Sequence, residues 1–279
     1  MKKILVQKAN GDKEEFDVRK LETSLLLSKA PRHMVEKVID FIQNTITDGV
    51  TTGQLYRLAF EKLREFERPV AARYSLKRAI AELGPTGFPF EKYIASIFKD
   101  RGFETLTDQI VQGHCVEHEM DIVAWNDEKL IMCEVKFHNE PGLKSDLKVA
   151  LYIKARFEDL QSMEFTFGGK KRKLDEGWLI TNTKFTDKAI QFSECAGVKL
   201  IGWSYPSVGN LHDIIEKIGL HPVTSLTTLS NKDKNDIIRQ GLVLCSEVSK
   251  NTNVLREIGM SEEKISEVVD ECEHVCPVL

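Results

Sequence analysis

The sequence predicts an α/β protein made of three consecutive parts. Apolar runs with a two-residue period, typical of strands, occur near the N-terminus and in the middle of the chain, and apolar residues at helical spacing fill much of the rest. A Gly-Pro break at Gly84-Pro85 separates the first two parts. We expect a β-hairpin with a helical bundle over residues 1–84, a mixed sheet flanked by helices over 85–222, and a helical segment over 223–279.

The composition is typical of a soluble globular protein. Of the 279 residues, 42% are hydrophobic and 29% are charged. The apolar run after Met1-Lys2-Lys3 is too short for a signal peptide, and no apolar run is long enough to span a membrane. The six cysteines contain no CxxC pair. Reduced thiols in the cytoplasm are the simplest interpretation.

The net charge of −4 is unevenly distributed. Residues 1–84 contain 16 basic and 12 acidic side chains, residues 85–222 contain 17 and 21, and residues 223–279 contain 6 and 10. A nucleic-acid-binding protein is usually more basic than this. The basic run Lys170–Lys173 is the local exception, and a solvated loop is the default interpretation of such a run.

The first part combines a hairpin with helices. Ile4–Val6 is expected to form a strand, Asn10–Lys13 a tight turn and Glu14–Phe16 the returning strand. Asp17 is a suitable N-cap for the helix that follows. Two further helical stretches are predicted over residues 31–47 and 52–83.

Several of these residues fit a known nucleotide-binding pattern. They are Val6-x-Lys8-x-x-Gly11, Phe16-Asp17-x-x-Lys20-Leu21 and Arg73-Tyr74. The segment thereby resembles the ATP-cone domain, the regulatory module of ribonucleotide reductases and their repressors. The resemblance implies that ATP or dATP binds, with Lys8 and Lys20 at the triphosphate and Val6 and Leu21 near the base. Thr52 matches a family contact more loosely.

This first part lacks the signature of a motor-type ATPase. No GxxxxGK[ST] motif occurs in the chain, so the implied role is nucleotide sensing rather than hydrolysis. The alternative interpretation is that the lysines are ordinary surface charges of a small helical domain.

Two strands in the second part place charged residues at the end of an apolar run. Leu130–Cys133 is apolar on both faces, as in a strand at the centre of a sheet, and it continues into Glu134-Val135-Lys136. The two-residue period puts Glu134 and Lys136 on one face, and a hairpin brings Asp121 near Glu134. Buried charges are costly unless they are paired or bind a metal. Two carboxylates with a nearby ammonium suit a hard cation such as Mg²⁺.

Asp121 followed by Glu134-x-Lys136 resembles the PD-(D/E)xK nuclease core, in its Mrr-like restriction endonuclease branch. The order of predicted elements from Phe88 to Trp203 agrees with that family. The resemblance implies a DNA endonuclease that uses Mg²⁺ or Mn²⁺, with Asp121, Glu134 and Lys136 catalytic and the metal held by Asp121, Glu134 and the Val135 carbonyl. Glu91 matches a position that supplies an extra carboxylate, although an acidic residue at a helix N-terminus needs no catalytic role.

The third part is predicted to be helical. Residues 231–250 and 261–274 show helical apolar spacing. Docking on the core, oligomerisation and DNA contact all fit this segment, and its acidity disfavours DNA contact.

Together these observations favour a nucleotide-regulated, metal-dependent DNA endonuclease. Its expected partners are DNA, an adenine nucleotide and further copies of the chain, with no membrane contact. Two alternatives remain open. One is a non-catalytic nucleotide-sensing regulator whose nuclease fold only binds nucleic acid, and the other is an interaction protein whose first domain mediates oligomerisation.

Overall fold

The computed structural model describes residues 4–8, 11–140 and 142–276. The chain divides into two compact units, which are Met1–Ala79 together with His221–Leu279, and Ile80–Leu220. The C-terminal segment, predicted as a separate part, therefore groups with the first part. Among the described residues, no helix is long and apolar enough to cross a membrane.

The N-terminal segment contains the predicted hairpin. In chain order its elements are β1 (Leu5–Gln7), β2 (Lys13–Glu15), α1 (Val18–Leu27), α2 (Arg32–Thr45), β3 (Val50–Thr51), α3 (Thr52–Phe66), α4 (Arg68–Tyr74) and α5 (Leu76–Ala81). β1 pairs antiparallel with β2 and parallel with β3. The predicted cap is present, since the Asp17 side chain accepts a hydrogen bond from the Arg19 N–H. Asn10 of the predicted turn lies outside the described residues.

The prediction of one continuous helix over residues 52–83 is wrong. The first helix ends before Glu67, whose backbone is extended at φ −158°. Pro69 lies in the first turn of α4, where its missing N–H costs nothing, but it cannot continue a preceding helix. The stretch therefore forms three shorter helices.

The second unit contains a five-stranded mixed sheet. Its elements are α6 (Phe88–Asp100), β4 (Glu104–Gln112), β5 (Glu117–Trp125), β6 (Leu130–Lys136), β7 (Lys144–Ser145), α7 (Leu147–Gln161), β8 (Phe165–Phe167), β9 (Lys170–Arg172), β10 (Glu176–Thr181), β11 (Lys184–Phe185), α8 (Asp187–Ala196), β12 (Lys199–Ile201) and α9 (Leu211–Ile218). The strand order is β12-β10-β6-β5-β4. β4, β5 and β6 are antiparallel neighbours, whereas β6, β10 and β12 are parallel. The predicted mixed sheet is present.

The sheet and α7 pack closely because one position on β10 has no side chain. A Cβ atom at Gly177 would lie 2.2 Å from Cδ2 of Phe157, closer than any real contact. Phe157 lies on the buried face of α7 with Ile153 and Leu160. This packing fixes the position of α7, and with it the neighbouring Arg156, against the sheet.

The described part of the C-terminal segment forms four α-helices around its own apolar cluster. They are α10 (Asn231–Arg239), α11 (Cys245–Lys250), α12 (Asn253–Glu257) and α13 (Glu262–Val275). The predicted helix over residues 231–250 is interrupted at Gly241, whose φ of 82° is left-handed and favours glycine. Within this unit the segment contacts the N-terminal helices, since Thr224 Oγ1 donates to the Ala79 carbonyl at 2.6 Å.

Candidate active site

The second unit brings Asp121 and Glu134 together where two strands separate. The β5–β6 pairing ends at Ile122 and Cys133. One residue further on, Asp121 Oδ2 accepts the Val135 N–H at 2.6 Å in place of a strand-to-strand bond. Asp121 and Glu134 are therefore opposite each other across the two strands, at the carboxyl end of a buried central strand. This is the arrangement predicted from a hairpin of the two strands.

Both oxygens of Glu134 are held by cations. Lys136 Nζ donates to Oε1 at 2.6 Å, and Arg156 Nη1 donates to Oε2 at 2.5 Å. The Glu134 side chain is 4% exposed, so its charge needs these partners. Removing one partner of such a buried group typically costs about 3–5 kcal/mol, because the remaining charge stays buried.

Arg156 belongs to the site through a contact with Glu134 that the sequence did not indicate. A charged residue on a helix is exposed by default, but the Arg156 side chain is only 13% exposed. Its Nη1 also donates to the Glu119 carbonyl at 2.9 Å, and its guanidinium lies 4.6 Å from the ring centroid of Tyr152. Position 156 follows Ile153 at helical spacing, beside the buried stripe of α7, and this is the signal that could have identified it.

Two of the predicted carboxylates have raised pKa values. Burial, followed by the charge of Glu134, raises the pKa of Asp121 to about 6. Burial, followed by the charge of Asp121, raises the pKa of Glu91 to about 7. The first turn of α6 therefore places Glu91 where the charges of the strand carboxylates act on it, and its catalytic role stays a prediction.

A further carboxylate, Asp108, went unnoticed in the sequence. It is level with Asp121 in the β4–β5 register but is not paired there, and its backbone is left-handed at φ 54°. Its charge contributes to the raised pKa of Glu91. No sequence signal distinguishes this aspartate from other polar residues of an edge strand.

Polar contacts fix the segment that follows Lys136. Thr181 Oγ1 donates to the Lys136 carbonyl at 2.7 Å. The side chain of Asn182 accepts the His138 N–H at 2.9 Å and donates to the His138 carbonyl at 2.8 Å. Since Thr181 and Asn182 are buried, the backbone of Lys136 is held in place while its ammonium donates to Glu134 Oε1.

The donor chemistry of the site suits a hard cation. Asp121, Glu134 and the Val135 carbonyl offer oxygen ligands of the kind that Mg²⁺ and Mn²⁺ prefer. The carboxylates are not gathered into a ready-made cage: over the described part of the chain, no three acidic, histidine or cysteine side chains are arranged to hold a metal. Glu134 is turned to its two cationic partners instead.

The predicted nucleotide contacts fall into two groups. Lys8 and Lys20 converge on Glu14, with their Nζ atoms 2.8 Å and 3.0 Å from Oε2. Thr52, the first residue of α3, is level with Lys8 in the β1–β3 register, which pairs Gln7 with Thr51. Val6 is buried and Leu21 packs against the helical core of this segment. The structure therefore assembles the charged residues and leaves the two apolar ones within the fold.

A cavity lies beside these lysines in the first unit. It measures about 830 Å³, and its lining includes Phe16, Lys20 and Asn44. Lys20 is the predicted contact residue that reaches it.

Two family models match the chain. Residues 84–203 match the model described as restriction endonuclease, and residues 221–276 match the model described as AF1548-like, C-terminal. Neither match extends into residues 1–83.

Individual relatives agree with these matches. An uncharacterized protein of Archaeoglobus fulgidus is 41% identical over 183 residues, which cover 65% of this chain and 99% of the relative. The crystal structure of AF1548, described as a protein of unknown function, is 38% identical with a TM-score of 0.55, covering 68% of this chain and 98% of that one. The structure of MspJI restriction endonuclease in complex with a 27-mer oligonucleotide is 12% identical with a TM-score of 0.27, covering 69% of this chain and 44% of that one. This similarity is too distant to indicate a function.

Proposed function

Because the chain belongs to the AF1548-like family and contains a restriction endonuclease domain, we propose that it is a metal-dependent DNA endonuclease regulated by an adenine nucleotide. The observation that supports this proposal most is the convergence of Asp121, Glu134 and Lys136 at the carboxyl end of β6. A buried strand that ends in paired charges, beside carboxylates with raised pKa values, is typical of a catalytic site rather than of a structural core.

Each residue has a chemical role in this proposal. Asp121, Glu134 and the Val135 carbonyl would hold Mg²⁺ or Mn²⁺, which supplies polarisation of the phosphate and a water of lowered pKa. Lys136 would place its ammonium beside the charge that develops on the phosphate. Glu91, with a pKa of about 7, is suited to move a proton at neutral pH.

The nucleotide-binding part of the proposal rests on Lys8 and Lys20. Both ammonium groups lie beside a single carboxylate, that of Glu14, and the backbone of Lys8 is level with Thr52, the first residue of α3, in the β1–β3 register. A triphosphate would replace Glu14 as their partner and would also gain the backbone N–H groups of the helix. ATP or dATP would thus be sensed by the ATP-cone-like segment.

The expected compartment and assembly are also part of the proposal. All six cysteines are free thiols, which is consistent with the reducing cytoplasm. A homo-oligomer would be detected by light scattering on the full chain, with and without nucleotide.

A cleavage assay tests the proposed activity. Plasmid, single-stranded and branched DNA are incubated with Mg²⁺ or Mn²⁺, with and without ATP or dATP, using wild type, Asp121→Ala and Lys136→Ala. We expect metal-dependent cleavage that both substitutions abolish and that nucleotide alters. Lys154→Ala is the matched control, because Lys154 pairs with Glu158 on the surface of α7. Cleavage that survives both site substitutions would contradict the assignment.

A second candidate function is a nucleotide-sensing regulator that binds nucleic acid without cleaving it. The occupation of both Glu134 oxygens by Lys136 and Arg156 favours this alternative. DNA binding that persists without cleavage under every metal condition would support it.

A further inference from the structure

We propose that Arg156 binds a phosphate of the DNA substrate. It first pairs with Glu134, and it exchanges this carboxylate for a DNA phosphate when Glu134 coordinates a cation. This inference rests on the proposed nuclease function. It adds a residue that binds substrate and states what must happen before the cation can bind.

Arg156 and a cation compete for the same oxygen of Glu134. Arg156 Nη1 lies 2.5 Å from Oε2 of Glu134, and Lys136 Nζ lies 2.6 Å from Oε1. A bound Mg²⁺ approaches a carboxylate oxygen to about 2.1 Å. At such distances the guanidinium and a divalent cation would repel each other strongly. Glu134 can therefore take up a cation at Oε2 only after Arg156 has moved.

The hydrogen-bond donors of Arg156 are only partly used in its present position. A guanidinium has five N–H donors. The guanidinium bonds seen here are both made by Nη1, to Glu134 and to the Glu119 carbonyl. Its Nε is buried without a hydrogen-bond partner among the residues that the structure describes. An arginine with donors to spare, beside a predicted phosphodiester site, is suited to bind an additional anion.

The ring of Tyr152 would keep the displaced guanidinium near the site. The guanidinium lies over this ring at 4.6 Å, and Tyr152 is 49% exposed. The backbone beneath it is held by Phe157 against Gly177. Rotation over the Tyr152 ring would turn the guanidinium from Glu134 toward solvent without moving α7. There its planar fork matches two oxygens of a phosphate.

The test measures cation binding and DNA binding separately on the full-length protein. Mn²⁺ affinity is measured by electron paramagnetic resonance without DNA. Affinity for a labelled duplex is measured by fluorescence anisotropy in Ca²⁺, as a function of salt. The variants are Arg156→Met, which keeps the apolar stem, and Arg156→Lys, which keeps the charge but not the fork. Lys154→Met is the control on the same helix.

We expect Arg156→Met to bind Mn²⁺ at least fivefold more tightly than wild type, because the competing charge is gone. The same variant should bind DNA about tenfold more weakly, with a salt slope reduced by about one counterion. Arg156→Lys should show the weaker DNA binding without the gain in Mn²⁺ affinity, and Lys154→Met should show neither change. Thermal melting monitors the fold of each variant, and Arg156→Lys provides the test if Arg156→Met does not fold.

Two outcomes would overturn the inference alone. One is unchanged or weaker Mn²⁺ binding by Arg156→Met, which would make Arg156 a support for Glu134 rather than a competitor. The other is unchanged DNA affinity in both variants. In either case a wild-type protein that binds Mn²⁺ and cleaves DNA would leave the proposed function standing. A wild-type protein that neither binds Mn²⁺ nor cleaves DNA would refute the function and the inference together.

Discussion

Replacing Asp121 with asparagine should stabilise the metal-free protein at neutral and alkaline pH. Burial and the charge of Glu134 raise the pKa of this carboxyl from 3.8 to about 6. A raised pKa means that the folded state binds the proton more tightly than the unfolded state. The folded state is therefore relatively favoured below pH 3.8 and loses this advantage as the pH rises through about 6. Asparagine removes the ionisation and keeps an oxygen for the Val135 N–H.

The size of the effect follows from the shift. At 1.36 kcal/mol per pKa unit, the ionised Asp121 carboxylate costs about 3 kcal/mol of folding free energy above pH 6. Because the side chain is only partly buried, solvent screening reduces this to about 2 kcal/mol. We expect Asp121→Asn to raise the free energy of unfolding by about 2 kcal/mol at pH 8, and the difference from wild type to vanish near pH 4.

Urea unfolding followed by tryptophan fluorescence measures this difference in the relevant unit. All three tryptophans, Trp125, Trp178 and Trp203, lie within Ile80–Leu220. Asp127→Asn is the control, and its effect on the free energy of unfolding should have the opposite sign. The hydrogen bond from Lys170 lowers the pKa of this exposed turn carboxyl. An Asp121→Asn protein that is no more stable than wild type at pH 8, or whose gain persists at pH 4, would refute the reasoning.

Three further predictions concern Glu91, Gly177 and the two lysines of the nucleotide site. The cleavage rate of wild type should change with pH near pH 7, and Glu91→Gln should abolish this change. Initial rates measured across the pH range test this, and an unchanged profile would exclude proton transfer by Glu91. Gly177→Ala should lower the free energy of unfolding by about 1–3 kcal/mol, because the added methyl group clashes with Phe157. Urea unfolding measures this, and wild-type stability in the variant would show that α7 can shift. Lys8→Ala and Lys20→Ala should each weaken ATP binding about tenfold, which corresponds to about 1.4 kcal/mol per lost phosphate contact. Calorimetry measures this affinity, and an unchanged value in both variants would exclude this nucleotide site.

The main features of the catalytic unit were predictable from local sequence patterns. The two-residue period put Glu134 and Lys136 on one face, and the apolar run before them indicated a central strand. The structure has both features, with Asp121 opposite Glu134. These predictions succeeded because strand alternation and burial are properties of a few consecutive residues.

Features that depend on distant residues were not predictable. β7 and most of α7 lie between Glu134 and Arg156 in the sequence, so no local pattern connects these two residues. The left-handed backbone of Asp108 lies at a break in the pairing between β4 and β5, which no pattern within β4 indicates. The grouping of the C-terminal helices with the first unit rests on long-range contacts such as that of Thr224 with Ala79.

The central claim is that Asp121 and Glu134 hold the catalytic cation while Lys136 acts on the substrate. The most direct test measures Mn²⁺ binding and DNA cleavage side by side for wild type, Asp121→Asn and Lys136→Met. We predict that Asp121→Asn loses both cation binding and cleavage, whereas Lys136→Met loses cleavage and still binds Mn²⁺. Cleavage by either variant at the wild-type rate, or undiminished Mn²⁺ affinity in Asp121→Asn, would contradict the claim.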